Sequence, residues 1–490
     1  MKRLLISLLC VCTAAVSTCQ IEITNIVHQS TNGLSITNGF ALTATGDTGF
    51  SAFLMDGRKI YANGFDADYN YLGRLDTREI SLREEYIAGK HYGDAYNLFF
   101  KVRTGNAIMV QQFNFADSTV TDKSVPLDIR DEEILQAFEH DKKLYLLNVA
   151  ASEDKLYLHS IDENLNPFSK EVAVPYTFYN DNQRERAFHK LIFDDFQEIS
   201  GIGMHPSQAR FPMTLPESTR PTKIYKKGDH LIFTLDFSPL LTQIMTVNIT
   251  SGATTFKEIP NLAGTDKKSV DQSNSFLLDQ QLFQIVRHDD ELQILVTDTE
   301  TGTLLNSFSI SDENETFNYT NTATLTLKPS KKKRKEVSTK QFLRYAKNDP
   351  LGIYATKVDE GVEITYGTWD KERGNNRSLN NTQTTDPMVG IMTMTAGAAG
   401  GLLYLALSSG NSIQSYGMHH LGMTTRAIGV FDENINHLPE KGVQATIYHK
   451  IDYYNYRKEG TTPMLLFEFR DAIIYGSFYP EQNAIKFLKF

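Results

Sequence analysis

Ile161-Asp162-Glu163-Asn164-Leu165-Asn166 is the stretch of this 490-residue sequence that says most about its fold. It recurs as Phe431-Asp432-Glu433-Asn434-Ile435-Asn436 and, more loosely, as Phe65-Asp66-Ala67-Asp68-Tyr69-Asn70. Each copy lies between two apolar segments. Asp and Asn favour turns because their side chains bond nearby backbone N–H groups and tolerate positive φ. The pattern therefore predicts a repeated strand–turn–strand unit.

The spacing of these turns favours the blades of a β-propeller, which repeat about every 40–50 residues. Asp66 and Asp162 lie 96 residues apart (162 minus 66), or two steps of 48. Asp162 and Asp432 lie 270 residues apart (432 minus 162), which equals six steps of 45. We therefore interpret the turns as equivalent points on blades of one ring.

Eight candidate copies of the hairpin pattern begin near residues 53, 98, 143, 231, 282, 353, 402 and 464. They predict an all-β propeller of seven or eight four-stranded blades, formed by residues 20–490 as a single domain. Insertions are expected near residues 176–228, 311–348 and 371–397. A strand at residues 21–26 is expected to complete the last blade, because closing the ring removes exposed sheet edges. Two packed β domains or an open β array are the alternative architectures.

The net charge and the cysteine positions exclude one class of partner and one kind of covalent framework. The net charge is −10, so nucleic acid is not expected as a partner. The only cysteines are Cys10, Cys12 and Cys19, which excludes a disulfide framework in the folded body. The predicted partner is an unknown protein or glycan, no cofactor is expected, and the oligomeric state stays open.

The first 19 residues predict an export signal. Met1-Lys2-Arg3 is a basic start, residues 4–16 are apolar, and small residues follow. Val16-Ser17-Thr18-Cys19 resembles the outline of a lipobox, although Thr18 departs from the usual small residue there. Two interpretations stay open: a membrane tether through lipidated Cys19, or plain secretion. Both place the protein in the periplasm, on the outer-membrane surface or outside the cell.

Methionine and histidine are concentrated at Met418, His419, His420 and Met423. Thioether and imidazole ligands suit copper, and the softness of the thioether favours Cu(I). These four residues are therefore the metal-site candidates. Packing is the alternative, since methionine commonly fills gaps in protein cores.

Other stretches have several interpretations. The basic run at residues 331–335 suits either a solvated loop or a contact with an anionic surface. The uncharged residues 388–407 suit a Gly-rich loop followed by a core strand better than a membrane segment. Acidic pairs at residues 131–133, 194–195 and 289–290 are either solvated turns or carboxylates of a glycosidase. No catalytic signature sequence occurs.

The chain resembles uncharacterised exported, propeller-like proteins of the Bacteroidota. The resemblance rests on the predicted signal, the repeated hairpins and the segments at residues 338–344, 352–354 and 364–367. The resemblance implies a location in the cell envelope. It does not imply any particular activity. The function predicted from the sequence is a non-catalytic binding or scaffolding module. The alternative is a carbohydrate-active hydrolase that uses carboxylates in the central funnel of the ring.

Overall fold

The computed structural model describes residues 21–27, 38–56, 59–77, 84–192, 204–206, 211–261, 270–311, 313, 316–328, 333–359, 361–370, 413–420, 422–456 and 462–490. These residues form seven sheets of four or five strands and one two-stranded hairpin. We number the larger sheets as blades 1 to 7. The first strand of the chain, β1 (Ile21–Val27), belongs to blade 7.

Blades 1 to 3 each consist of four consecutive antiparallel strands. Blade 1 contains β2 (Asn38–Thr43), β3 (Gly49–Asp56), β4 (Lys59–Asp66) and β5 (Tyr71–Asp76). Blade 2 contains β6 (Glu84–Tyr92), β7 (Ala95–Val102), β8 (Ile108–Asn114) and β9 (Thr119–Val125). Blade 3 contains β10 (Glu132–His140), β11 (Lys143–Ala150), β12 (Lys155–Ile161) and β13 (Pro167–Ala173).

Blade 4 follows a hairpin of β14 (Phe178–Tyr179) and β15 (Glu185–Arg186). It contains β16 (Met204–Pro206), β17 (Thr222–Lys227), β18 (His230–Leu235), β19 (Leu241–Asn248) and β20 (Thr254–Pro260). The short strand β16 pairs in parallel with β17, as a fifth strand at one edge of the sheet. Blade 5 contains β21 (Val270–Leu278), β22 (Gln281–His288), β23 (Glu291–Asp298) and β24 (Leu304–Ile310).

Blades 6 and 7 depart from simple chain order. Blade 6 contains β25 (Leu325–Lys328), β26 (Lys333–Glu336), β27 (Leu351–Val358), β28 (Gly361–Asp370) and β29 (Met423–Phe431), in the spatial order β26-β25-β29-β28-β27. Blade 7 contains β30 (Thr462–Phe469), β31 (Ala472–Tyr479) and β32 (Ala484–Lys489), with β1 beyond β32. The pairing of Ile21 with Lys489 joins the two ends of the chain and confirms the expected N-terminal closing strand.

Neighbouring blades share hydrophobic cores, as expected for a propeller. One cluster joins blades 7 and 1, others join blades 1 and 2, 2 and 3, and 3 and 4, and the largest spans blades 4 to 6. In β12, Leu156 and Leu158 pack against blade 4, while Ile161 on the opposite face packs against blade 2. Since both faces of a blade are buried, its strands are almost continuously apolar.

One edge strand of a blade, which in blade 6 is β27, is the inner strand at the ring axis. β2 contacts β6 and β30, and β21 contacts β27, so the inner strands of neighbouring blades meet one another. Because these inner strands run in the same sense, they begin on one face of the disc and end on the other. We call these the entry face and the exit face.

The recurring Asx turn has the same structure in its three copies. Asp162 Oδ1 accepts hydrogen bonds from the backbone N–H groups of Asn164 (2.9 Å) and Asn166 (2.8 Å). Asp66 and Asp432 accept the equivalent pairs of bonds at 2.8–2.9 Å. The residue before the final Asn has positive φ in each copy, with 65° at Tyr69, 63° at Leu165 and 62° at Ile435. All three turns come directly after the strand that is third from the ring axis in its blade.

The predicted count of seven or eight blades is confirmed, but the predicted spacing of the turns needs one correction. Asp66 and Asp162 lie in blades 1 and 3, so their interval does correspond to two blades. Asp432 lies in blade 6, so the interval from Asp162 covers three blades and not six steps of 45. The candidate copy near residue 402 opens outside the described residues, and β29, which ends at the Asp432 turn, belongs to the same sheet as β27 and β28 of the copy near residue 353. The eight candidate copies therefore correspond to seven blades.

The described strands are accompanied by four short helices: α1 (Leu215–Ser218), α2 (Thr339–Asn348), α3 (Ile413–His419) and α4 (Ile447–Tyr456). Residues 188–192 are also helical. Ser338 caps α2 by accepting a hydrogen bond from the N–H of Gln341. No helix in the described part of the chain has the length and hydrophobicity that crossing a membrane requires.

Helices α3 and α4 separate blade 6 from blade 7. Tyr448 and Ile451 of α4 pack with Leu466 and Tyr475 of blade 7. On the other side, Arg426 of β29 hydrogen-bonds α4. Blades 6 and 7 are thus joined through helices, whereas the other neighbouring blades pack sheet against sheet.

Candidate functional site

A cavity of about 470 Å³ opens where the inner strands of blades 1, 2 and 3 end. It is lined by residues 42–47, 88–91 and 137–139, together with Leu144. Because this cavity touches the inner strands of three successive blades, it lies at the ring axis. It lies at the exit face because these strands end there. Its volume falls in the range of small-molecule sites, roughly 300–1,000 Å³. We call it the axial cavity.

Lys90 supplies a nearly buried cation to the axial cavity. Its side chain is 8% exposed, and its Nζ lies 2.6 Å from Glu139 Oε2 of blade 3 and 5.3 Å from the ring centre of Tyr92. Glu139 is 62% exposed. Because the cation is held in place and its carboxylate partner is mostly in solvent, Glu139 is free to turn away. An acidic group of a ligand would then replace it beside Lys90.

His91 supplies a donor next to Lys90. Its Nδ1 accepts a hydrogen bond from the backbone N–H of Thr45 at 3.2 Å, and its ring packs edge-on to Tyr96 at 4.6 Å. Burial lowers the pKa of His91 below its ordinary value, which favours the neutral ring. A neutral imidazole that accepts at Nδ1 carries its proton on Nε2. Asp47, in the turn at residues 44–48, also lines the cavity. The cavity is therefore lined by a positively charged residue, a negatively charged residue and a histidine N–H donor.

A second group of charges lies on the opposite, entry face of the same blades. Glu85 near the start of β6 and Glu133 near the start of β10 are both partly buried and interact with Lys101. Burial raises the pKa of both carboxyls, and the charge of Glu133 raises that of Glu85 further. Two coupled carboxyls whose pKa values are raised are the groups that general acid–base chemistry requires.

The histidines of the predicted metal site, His419 and His420, meet an acidic partner on α4. Asp452 accepts hydrogen bonds from His420 Nε2 and the Tyr416 hydroxyl, both at 2.8 Å, and lies 3.6 Å from His419 Nε2. Burial opposes ionisation of Asp452, but the contacts from His419 and His420 outweigh it and hold its pKa well below the usual range. The histidines thus lie in a joint between α3 and α4 that Asp452 holds together by polar contacts.

The methionines of that prediction, Met418 and Met423, are 4% and 3% exposed. Within the described ranges no group of three or more His, Cys, Asp or Glu side chains is arranged to hold a metal ion. Metal binding at these four residues stays a prediction. Cys19, residues 331–332 and residues 388–407 lie outside the described residues, as does the acidic pair at 194–195.

Sequence reasoning missed Lys90, His91 and Glu85, and it noted Glu133 only as part of an acidic run. Lys90 and His91 follow the apolar middle of β6 and belong to no recognised motif. A weak signal was present: β6 and β10 both begin with two adjacent glutamates, at residues 84–85 and 132–133. Aligning the blades by their inner strands would have exposed that repeat.

No family model and no curated protein matches this chain. Among solved structures, a variant of the Synechocystis apocarotenoid oxygenase is 9% identical with a TM-score of 0.29 over 56% of this chain and 61% of that one. A prolyl endopeptidase is 8% identical with a TM-score of 0.31, covering 69% of this chain and 40% of that one. A protein from Lactobacillus plantarum is 9% identical with a TM-score of 0.27, covering 70% and 84%. Likenesses this distant carry no argument about the site.

Proposed function

We propose that this chain is an exported binding or scaffolding module that holds an acidic glycan, or an acidic group of a protein, in its axial cavity without transforming it. The observation that carries the proposal is the pairing of Lys90, 8% exposed, with Glu139, 62% exposed, in a cavity of about 470 Å³. A preformed concave site with a few oriented polar groups is the usual form of a ligand site. The exported address rests on residues 1–19.

A glycan array that includes uronate-bearing and neutral members tests this proposal. Replacing Lys90 by Met keeps the length of the side chain and its packing on Tyr92 but removes the charge. We expect this variant to lose about tenfold or more of the affinity for acidic glycans, because a buried charge pair contributes strongly to a complex. Lys143→Met, at an exposed position of β11, is the matched control and should bind like the unchanged protein. Unaltered binding by the Lys90 variant would refute the assignment of the cavity.

The hydrolase alternative is supported by a different observation, the pair Glu85 and Glu133 on the entry face. One carboxyl that keeps its proton and one that is ionised are the general acid and the base or nucleophile of a glycosidase. If this alternative holds, Glu85→Gln and Glu133→Gln each abolish hydrolysis of aryl glycosides, while Glu84→Gln on the same strand has little effect. Activity that survives in both variants, or no hydrolysis by the unchanged protein across α- and β-glycosides, would reject it.

A further inference from the structure

Three strands of blade 3 bring a glutamate, a histidine and a serine into one hydrogen-bonded line. His159 Nε2 lies 2.6 Å from Glu132 Oε2, and His159 Nδ1 lies 2.8 Å from Ser169 Oγ. The side chain of His159 is 2% exposed, that of Glu132 is 11% exposed, and Ser169 lies in solvent on the outer strand β13. The three residues are far from the axial cavity and have no part in the proposed function.

The direction of each hydrogen bond follows from its partners. Glu132 Oε2 also accepts a hydrogen bond from Asn148 Nδ2 at 2.8 Å, and a carboxylate oxygen only accepts. His159 therefore carries a proton on Nε2, which it donates to Glu132. In the neutral ring Nδ1 is then a lone-pair acceptor, and the hydroxyl of Ser169 is the donor. A base that is oriented by a third group and bonded to a hydroxyl is the arrangement of an activated nucleophile.

The strand register adds an N–H group beside the hydroxyl. Asp162 N–H donates to Asn166 O, so these residues form a hydrogen-bonded pair at the turn. Hydrogen-bonded and non-hydrogen-bonded pairs alternate along an antiparallel ladder. Counting back through Ile161 with Pro167 and Ser160 with Phe168 makes His159 with Ser169 a non-hydrogen-bonded pair. The backbone N–H of Ser169 consequently points away from β12, towards the outer edge of the sheet.

We propose that Ser169 is the nucleophile of a second, acyl-transfer site, with His159 as its base and Glu132 as the residue that positions His159. Ser169 Oγ bonds to the carbonyl carbon of an ester while its proton passes to His159 Nδ1. The bond to the alcohol oxygen then breaks, and that oxygen takes the proton from His159. Water repeats the two steps on the acyl-serine, which releases the acid and restores Ser169.

The position of Ser169 indicates the class of ester. It stands on a rim strand in solvent, where the size of the alcohol portion is not restricted. The substrate class is therefore a small acyl ester, such as an O-acetyl group, on a large molecule. The Ser169 N–H at the sheet edge is placed to donate to the oxygen that becomes negative during the reaction.

A fluorophosphonate probe tests the nucleophile in the full chain, because it forms a stable adduct with activated serines. We expect one adduct, which peptide mass spectrometry assigns to Ser169, and no adduct in Ser169→Ala. Ser124→Ala, at an exposed position on the outer strand of blade 2, is the matched control and should be labelled normally. An unlabelled native protein, or equal labelling of Ser169→Ala, overturns the proposal.

His159→Ala separates a chemical role from a structural one. Loss of a general base should slow labelling by about 10²-fold, within the range known for such groups. Added imidazole should restore part of the labelling rate, which a purely structural histidine would not allow. Circular dichroism confirms that the variant is folded. Labelling at the native rate in His159→Ala, or no response of a folded variant to imidazole, also overturns the proposal.

Discussion

The joint between α4 and blade 6 predicts a measurable dependence of stability on pH. His449 on α4 accepts a hydrogen bond from Arg426 Nη2 at 3.1 Å, and its Nδ1 lies 3.0 Å from Thr446 Oγ1. Burial first, and then the positive charges of Arg426 and His419, lower the pKa of His449 from 6.5 to about 4. The folded protein thus holds this ring neutral in a range where the unfolded chain protonates it.

The sign and size follow from proton linkage. Between pH 6.5 and about 4 the unfolded chain binds a proton at His449 that the folded chain does not bind. The free energy of unfolding therefore decreases as the pH falls through this window, by up to about 3 kcal/mol from this one group. Above pH 6.5 His449 adds no pH dependence. Asp452 titrates below this window, because its contacts hold its pKa below the ordinary value of 3.8.

His449→Gln removes the titrating ring and keeps an acceptor within reach of Arg426. Urea unfolding at pH 7 and pH 4.5 measures the difference between the two proteins. Trp369 is the single tryptophan, is 4% exposed and lies on β28 of blade 6, so its fluorescence reports unfolding next to the joint. We expect the unchanged protein to lose about 2–3 kcal/mol more than His449→Gln between these pH values. His419, whose pKa burial also lowers, is present in both proteins, so its own titration contributes to both.

Equal losses of stability in the two proteins would refute this reasoning. That result would mean that His449 protonates as readily in the folded state as in the unfolded chain. The joint would then be open to water, contrary to the burial of its residues.

Two further predictions concern the core and the closure of the ring. Lys223 and Asp236 are 1% and 0% exposed and lie 3.4 Å apart, so Lys223→Met should reduce the free energy of unfolding by about 3–5 kcal/mol in urea titrations. Adding Asp236→Asn to this variant should restore part of that loss, because it removes the unpaired charge and keeps an oxygen acceptor, and a double variant as unstable as the single one would contradict the account. Ile26 on the closing strand is 7% exposed and Val27 is 61% exposed. Ile26→Asp should therefore speed proteolysis of blade 7 and lower stability by several kcal/mol, about the cost of an unpaired buried charge, while Val27→Asp should change little.

The sequence by itself determined the features that depend on neighbouring residues. The Asx turn is one: Asp162 binds N–H groups only two and four residues ahead, so its structure follows from the local residues in all three copies. The capping of α2 by Ser338 is another, because it involves residues three apart. The apolar strands, and hence the all-β fold class, also follow from the local sequence. Because both faces of a blade are buried, each strand appears in the sequence as a nearly continuous apolar segment.

Only the tertiary structure decided how these units add up. Blade 6 is assembled from strands that begin at residues 325 and 423 on either side of a long insertion, so spacing in the sequence miscounted the blades. The candidate sites also depend on the tertiary structure. Glu132, His159 and Ser169 lie on three different strands, and Lys90 meets Glu139 across two blades. Contacts of this kind depend on strand register and blade packing, which involve distant residues and leave no pattern along the chain.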